Sequence, residues 1–178
     1  MAAPMTTPIE IDVWQGAIAE LEVDALVVGA SESLFMTGGQ AASVKRRGGD
    51  AIERAAVEQG PIPPGSVVVT SGGRLAAPYV IHAVAVGHDR VADPERLAAA
   101  VRAAFAVAEP LQLHRIAIGL LGTEHGAFPA ADAAEALVTA IGAAAAGTPV
   151  ESVVIATVHP NETHAVGEAL ARHHTAAR

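Results

Sequence analysis

The sequence predicts a layered α/β domain built around a mixed β-sheet. Short apolar segments alternate with longer, helix-favouring segments along the 178 residues, which is the pattern of strands separated by helices. Residues 66–70 and 79–86 are joined by a link without a helix, so we expect these two strands to pair antiparallel to each other. Two glycine-bearing turns, at 37–39 and 122–128, each follow a predicted strand and precede a predicted helix.

Six segments are predicted to form strands. Residues 9–14 alternate apolar and polar side chains, as a half-buried strand does. Residues 23–30 contain a continuous apolar run from Ala25 to Val28, which is typical of a strand buried on both faces. The remaining predicted strands span residues 66–70, 79–86, 115–121 and 150–158.

Four segments are predicted to form helices, and cap residues mark several of their ends. Asp93 is suited to cap a helix whose first residue is Pro94, and Pro110 is expected to stop that helix. Asn161 is expected to cap the last helix, after which residues 173–178 should fray. The predicted helices span residues 40–59, with a break near Gly48 and Gly49, then 94–109, 129–146 and, after the cap at Asn161, 162–172.

Length and composition limit the kind of protein. A chain of 178 residues predicts one domain, residues 1–178, with an ordered core at about 9–172. Hydrophobic residues make up 51% of the chain but aromatic residues only 3%, so we expect a core of small and β-branched side chains. Because there is no cysteine, disulfides and thiolate metal sites are excluded. We expect neither a metal nor a cofactor.

Charge and hydropathy predict location and partners. Residues 1–8 lack the charged start and apolar run of a signal peptide, and no apolar run reaches the length of a membrane span. We therefore expect a cytoplasmic protein that does not bind membranes. A net charge of −8 disfavours binding to nucleic acid. The basic cluster Lys45, Arg46 and Arg47 is interpreted as a solvated helix face.

The two glycine-bearing turns are the strongest functional signal. A glycine-rich turn at a helix N-terminus presents free backbone N–H groups and the positive end of the helix dipole, which attract anions. Both turns follow buried strands, and ligands of open α/β sheets bind at the carboxyl ends of strands. We therefore expect the turns to lie side by side and to hold a phosphate-bearing small molecule.

Several familiar motifs are missing, and an ordinary tight turn remains an alternative for residues 37–39. These residues match neither G-x-G-x-x-G nor the phosphate loop that ends in Gly-Lys-Ser/Thr, which argues against the cofactor domain of an oxidoreductase. Two histidines lie where they could hydrogen-bond a ligand or stack on a base. His125 is in the second turn, and His159 follows the last predicted strand.

A set of motifs runs through nearly the whole chain, from about Ile9 to Leu170. The motifs are Gly16-Ala17-Ile18, residues 23–27, Leu34 with Thr37-Gly38-Gly39, residues 78–84, and Gly122-Thr123 with Gly126 and Phe128-Pro129. In order and spacing they resemble the macrodomain family, and the strand sequence Tyr-Val-Ile-His at 79–82 is among the most characteristic pieces.

This resemblance implies a three-layer α/β/α sandwich around a mixed, mostly parallel six-stranded sheet, with ADP-ribose or a related nucleotide in a crevice on top. Residues 37–40 would match the first phosphate-binding loop, which faces the distal ribose. Residues 121–128 would match the second loop, with Phe128 near that ribose, and His159 would flank the adenine. The expected ligand contacts are Ala17, Ile18, Ser31, Thr37, Gly38, Gly39, Gln40, Leu121, Gly122, Thr123, Glu124, His125, Gly126, Ala127, Phe128 and His159.

The chain departs from the family pattern at three positions. The family's Asp that accepts a hydrogen bond from the adenine amine is replaced by Ala17, which removes a contact worth roughly 1.5–3 kcal/mol. The Asn that orients the distal ribose and serves hydrolase chemistry is replaced by the shorter Ser31. The middle glycine of the second loop is replaced by Glu124.

The direction of the Glu124 side chain decides how serious the third departure is. At about 4 Å from a phosphate, repulsion is roughly 1 kcal/mol per charge in water and about 4 kcal/mol at an effective dielectric constant of 20. If the side chain points to solvent, the cost is small, whereas an inward carboxylate would severely weaken diphosphate binding. Glu would also be strained if the backbone required a positive φ at this position.

Three functions are consistent with the resemblance and the departures. The first is binding of ADP-ribose or a related nucleotide or phosphorylated metabolite, free or on an ADP-ribosylated protein, without turnover. The second is hydrolysis of ADP-ribosyl groups or of O-acetyl-ADP-ribose, with Ser31, Glu124 and His125 as candidate catalytic residues that position water. The third is a degenerate macrodomain that has lost ADP-ribose binding and recognises another ligand or a protein.

Overall fold

The structure, a computed structural model, describes residues 8–176. It confirms the predicted sandwich, since a six-stranded sheet lies between two layers of helices. The expectations for residues 1–7 and 177–178 lie outside the described part of the chain. Within that part, no helix combines the length and the apolar character that a membrane span needs.

The sheet contains five mutually parallel strands and one antiparallel edge strand. In chain order the strands are β1 (Glu10–Gln15), β2 (Ala25–Gly29), β3 (Val67–Ser71), β4 (Tyr79–Ala83), β5 (Arg115–Gly119) and β6 (Ser152–Thr157). Across the sheet the order is β1-β6-β5-β2-β4-β3. Only β3 runs antiparallel to its neighbour, β4, which confirms the antiparallel pairing predicted for these two strands.

Helices cover both faces of the sheet. They are α1 (Gly39–Gly48), α2 (Asp50–Val57), α3 (Pro94–Ala106), α4 (Ala108–Leu111), α5 (Ala130–Ala144) and α6 (Pro160–Ala176), with 3₁₀ turns at Ile18–Glu20 and Glu124–Gly126. Helices α1 and α2 pack on one face and α3, α5 and α6 on the other. The predicted break between α1 and α2 falls at Gly49, whose φ of 109° favours glycine.

Several element ends differ from the prediction, among them the ends of strands β4, β5 and β6, which stop at Ala83, Gly119 and Thr157. Pro110 does not stop α3, which ends at Ala106; it lies in the short α4, whose first turn needs no backbone N–H from it. Asn161 does not cap the last helix, because α6 begins at Pro160. That helix continues through Ala176, so residues 173–176 are helical rather than frayed.

The core has two main parts, one on each side of the sheet. Because successive side chains of a strand point to opposite faces, Val27 packs with α3, α5 and α6, whereas Leu26 and Val28 pack with α1 and α2. Phe105 is the largest of the fully buried side chains, and the rest of the core consists mainly of Ala, Val, Leu and Ile. The structure therefore has the core of small and β-branched residues that the composition predicts.

One titratable side chain lies inside this core. His82 in β4 has no exposed surface, and its Nε2 lies 3.0 Å from Thr70 Oγ1. Its Nδ1 has no hydrogen-bond partner among the described residues. Burial lowers the pKa of His82 to about 4, because the charged imidazolium loses its hydration there.

We expect the protein to lose stability as the pH falls from 6.5 to about 4 because of His82. In this window the unfolded chain takes up a proton that the folded protein does not bind, so acid favours unfolding, by about 3 kcal/mol at the lower limit. Urea unfolding of the wild type and His82→Gln across this range measures the effect. The wild type should lose more stability than the variant as the pH falls, and parallel losses would contradict the prediction.

Candidate ligand-binding site

A cavity of about 450 Å³ lies at the carboxyl ends of the central strands. Its floor contains Gly29 and Gly119, the last residues of β2 and β5, and Ala156, near the end of β6. These three strands are parallel neighbours. Small residues at three adjacent strand ends leave space between the loops that follow β2 and β5.

The whole segment between β2 and α1, residues 30–38, overlaps the predicted loop at 37–40 and is called the first loop below. It is held at its centre. Leu34 has a φ of 65°, and its side chain is fully buried in a small apolar cluster. The backbone N–H of Met36 donates to Glu53 Oε2 at 2.7 Å, and Lys45 Nζ donates to Glu53 Oε1 at 2.7 Å. Both hydrogen bonds lower the pKa of Glu53, and the one from Lys45 has the larger effect. The loop is therefore shaped by contacts within the protein.

The first loop ends at an open helix N-terminus. Gly38, the N-cap of α1, is extended, and no side chain caps the helix. The first backbone N–H groups of α1 therefore have no partner within the helix. Gly39 has a φ of 56°, which favours glycine. A Cβ at either position would meet no atom within 4 Å, and both glycines line the cavity.

Gln40 ties the start of α1 to the segment after β1. Its Oε1 accepts a hydrogen bond from the backbone N–H of Ile18 at 3.0 Å, and its Nε2 donates to the carbonyl of Gly16 at 3.0 Å. Ile18 is fully buried, and neither Ile18 nor Ala17 lines the cavity. These two predicted ligand contacts therefore lie outside the cavity lining, and the N–H of Ile18 is engaged within the protein.

The second loop, residues 120–128 after β5, places the Glu124 side chain inside the cavity. Glu124 Oε2 accepts a hydrogen bond from the backbone N–H of Gly122 at 2.7 Å. Its Oε1 lies against Gly29, where a Cβ would overlap that oxygen and lie 2.6 Å from Glu124 Cδ. A positive φ of 55° falls on His125 and not on Glu124. The question that the sequence leaves open is thus answered: the side chain points inward without backbone strain.

The inward carboxyl of Glu124 has no cationic partner. Among residues 8–176, no Lys, Arg or His side chain forms an ion pair with it. Burial raises the pKa of Glu124, and the backbone N–H groups of Glu124 and Gly122 oppose this shift only in part. The carboxyl group consequently carries an ionisation cost that an exposed glutamate does not have.

The cavity collects many, but not all, of the predicted ligand contacts. Those that line it are Ser31, Thr37, Gly38, Gly39, Gln40, Thr123, Glu124, His125 and His159, whereas Ala17, Ile18, Leu121, Gly122, Gly126, Ala127 and Phe128 do not. Phe128 is buried beneath Gly122, where a Cβ would lie 2.8 Å from the phenyl ring. The three candidate catalytic residues share the cavity, but Ser31 Oγ pairs with Ser33 Oγ at 3.1 Å.

A second set of lining residues was not predicted from the sequence. These are Gly29, Ala30, Phe35, Ala41, Val86, Gly87, His88, Arg90, Gly119, Leu120, Ala156, Val158 and Glu162. The small residues at the ends of the buried strands, Gly29, Gly119 and Ala156, could have indicated the floor of the cavity. The segment 86–90 follows β4, which is parallel to β2 and therefore delivers its loop to the same edge.

The rim of the cavity combines exposed apolar surface with one guanidinium group. Phe35 and Val158, which are 53% and 45% exposed, both line it. His88 Nδ1 lies 3.1 Å from Glu32 Oε2, whereas the Arg90 guanidinium makes no hydrogen bond or ion pair within residues 8–176. A flat aromatic face and a guanidinium are thus both available to a bound molecule.

Comparison with known sequences identifies the family. The model of the Macro domain matches residues 27–137, so the chain belongs to the macrodomain family. An uncharacterised protein of Pyrobaculum aerophilum is 42% identical over 138 residues, which cover 75% of this chain and 75% of that protein. The "Macro domain-containing protein in gbd 3'region" of Cupriavidus necator is 39% identical over 146 residues, covering 78% of this chain and 84% of that protein.

Solved structures have the same fold. The Oceanobacillus iheyensis macrodomain with ADP superposes with a TM-score of 0.82 at 21% identity, covering 90% of this chain and 89% of that chain. The Trypanosoma brucei macrodomain in complex with ADP-ribose also has a TM-score of 0.82, at 20% identity, covering 90% of this chain and 69% of that chain. At these identities the similarity is one of fold.

We expect Glu124→Gln to stabilise the protein at neutral pH. Because burial raises the pKa of Glu124, the ionised form is disfavoured in the folded state, and wild-type stability falls as the pH rises from 4.5 through the folded-state pKa. The amide keeps an acceptor for the Gly122 N–H but carries no charge. The variant should therefore melt at a higher temperature than the wild type at pH 8.

The stabilising effect of Glu124→Gln should shrink as the pH falls towards 4.5, where the wild-type carboxyl takes up its proton. Glu151→Gln is the matched control, because it is the same change at a side chain that is 82% exposed. Thermal denaturation of the three proteins between pH 4.5 and 8 makes the comparison. Lower stability of Glu124→Gln at pH 8 would show that the carboxylate is well compensated.

Proposed function

We propose that the cavity binds ADP-ribose or a related nucleotide or phosphorylated metabolite, either free or attached to a protein. The observation that carries this proposal is the uncapped start of α1, where Gly38 and Gly39 open onto a cavity of about 450 Å³. Free backbone N–H groups and the helix dipole attract a phosphate at such a position. A cavity of this volume is also in the range of small-molecule sites.

Two further features support a nucleotide-like ligand. The rim offers Phe35, whose exposed ring is suited to stack on a base or pack on a sugar. Arg90 places a guanidinium at the same rim, and guanidinium groups form strong paired hydrogen bonds with phosphate. Membership of the macrodomain family supports the same ligand class, since solved macrodomains carry ADP or ADP-ribose.

The rigidity of the first loop favours binding. Leu34 is buried, and the Met36 N–H is bonded to Glu53, so the backbone ahead of α1 has its shape before a ligand arrives. A preformed loop loses little conformational entropy on binding, and more of the contact energy is retained as affinity. The phosphate would therefore meet donors that are already in position.

Calorimetric titration with ADP-ribose, with AMP and NAD as comparisons, tests the proposal. We expect micromolar binding of ADP-ribose by the wild type and a loss of at least about tenfold in Gly38→Val. Gly38 has a φ of −153°, which a β-branched residue also adopts, so the new side chain should fill the phosphate position without disturbing the fold.

The matched control is Gly142→Ala on the exposed side of α5, which should bind as the wild type does. Melting temperatures of all three proteins verify that Gly38→Val is folded. Two results would contradict the proposal: no heat with any of the three nucleotides, or equal affinity of Gly38→Val and the wild type.

A second candidate function is hydrolysis of an ADP-ribosyl group or of O-acetyl-ADP-ribose. It is favoured by the Glu124 carboxyl, which lies in the cavity with a raised pKa and is therefore better matched to proton transfer near neutral pH. Release of free ADP-ribose from a mono-ADP-ribosylated protein is the assay. Turnover that disappears in Glu124→Gln would support the hydrolase, and no release over hours by the wild type would exclude it for that substrate.

A further inference from the structure

Glu124 and Gly29 form a matched pair between two loops of the site. Gly29 is the last residue of β2, and Glu124 Oε1 occupies the space that a side chain at Gly29 would need. The two residues are far apart in the chain but meet because β2 and β5 are parallel neighbours. The inward position of Glu124 thus depends on the absence of a side chain at position 29.

The same carboxylate engages the backbone of its own loop. Its Oε2 accepts the hydrogen bond from the Gly122 N–H at 2.7 Å. Each of the two carboxylate oxygens therefore has a defined place, one on the Gly122 N–H and the other against Gly29. An anion that approaches this loop meets a negative group already in position.

We propose that Glu124 is a specificity-determining residue, which fills the anion position of the second loop with its own carboxylate and selects against ligands that present negative charge there. The proposal deepens the proposed function and rests on it for the identity of the cavity as a nucleotide site. The first loop remains the place for a phosphate, and the Glu124 side of the cavity accepts hydroxyl or amino hydrogens.

Coulomb repulsion is large enough to produce this selection. We take a negative group of the ligand to lie about 4 Å from the carboxylate. Repulsion at this distance would weaken binding by roughly fivefold in water and by several hundredfold at an effective dielectric constant of 20. The surroundings of Glu124 lie between these two cases, because its side chain is only partly buried and has no cationic partner among residues 8–176. Removing the charge should therefore increase the affinity for a diphosphate by at least about tenfold.

The structural half of the proposal is tested without any ligand. Gly29→Ala should turn the Glu124 side chain away from β2, because the new Cβ would take the place of Oε1 and this flexible side chain can move at little cost. In the Gly29→Ala background, Glu124→Gln should no longer raise the melting temperature at pH 8, since the carboxyl has already left its position beside Gly29. An equal gain from Glu124→Gln in the wild type and in Gly29→Ala would overturn the pairing of these residues.

The selectivity half is tested with inorganic pyrophosphate and ADP-ribose. Calorimetry on the wild type, Glu124→Gln and the control Glu151→Gln, which lies at the opposite end of β6 from the cavity, provides the affinities. We expect Glu124→Gln alone to bind both anions at least about tenfold more tightly than the wild type. An affinity within twofold of the wild type for both probes would overturn the selectivity.

The outcomes separate this proposal from the proposed function. Tighter pyrophosphate binding by Glu124→Gln, with no ADP-ribose binding by any protein, would retain the role of Glu124 and refute the nucleotide site. Binding of ADP-ribose with equal affinity of the wild type and Glu124→Gln for both probes would retain the nucleotide site and refute the role of Glu124. No binding of either probe to any of the proteins would overturn both.

Discussion

Parallel pairing of β2 with β5 on one side and β4 on the other is the constraint on which the site depends. Parallel strands deliver the loops at their carboxyl ends to one edge of the sheet, where open α/β sheets bind ligands. The loops after β2, β4, β5 and β6 therefore converge, and residues from all four line one cavity. The cavity remains open between these loops because the residues at the strand ends are small.

Much of the fold could be predicted because its signals are local. The apolar run from Ala25 to Val28 marks a buried strand, and the glycines near position 48 mark a change between two helices. The two glycine-bearing turns could be placed at one edge of the sheet by the topology rule alone. The end of α3 could not be found from Pro110, because proline is acceptable in the first turn of the helix that follows.

The inner contacts of the candidate site could not be predicted, because they depend on side-chain direction and on residues far apart in the chain. Gln40 is predicted as a ligand contact and lines the cavity, but its amide also bonds the backbone of Gly16 and Ile18, which lie 24 and 22 residues away in the chain. Glu124 is recognisable as unusual, but its direction is set by space at Gly29, which no local pattern reveals. The contacts of Gln40 and Glu124 engage the backbone N–H groups of Ile18 and Gly122, which are therefore not free to bind a ligand.

The carboxyl of Glu124 and the missing side chain at position 29 share one small volume. While residue 29 is glycine, the carboxyl fills the space beside the end of β2, and a side chain at position 29 would turn it away. A change at the end of β2 would thus alter the charge that lines the cavity without any change in the loop after β5. The electrostatics of that loop is therefore controlled in part by a residue of another strand.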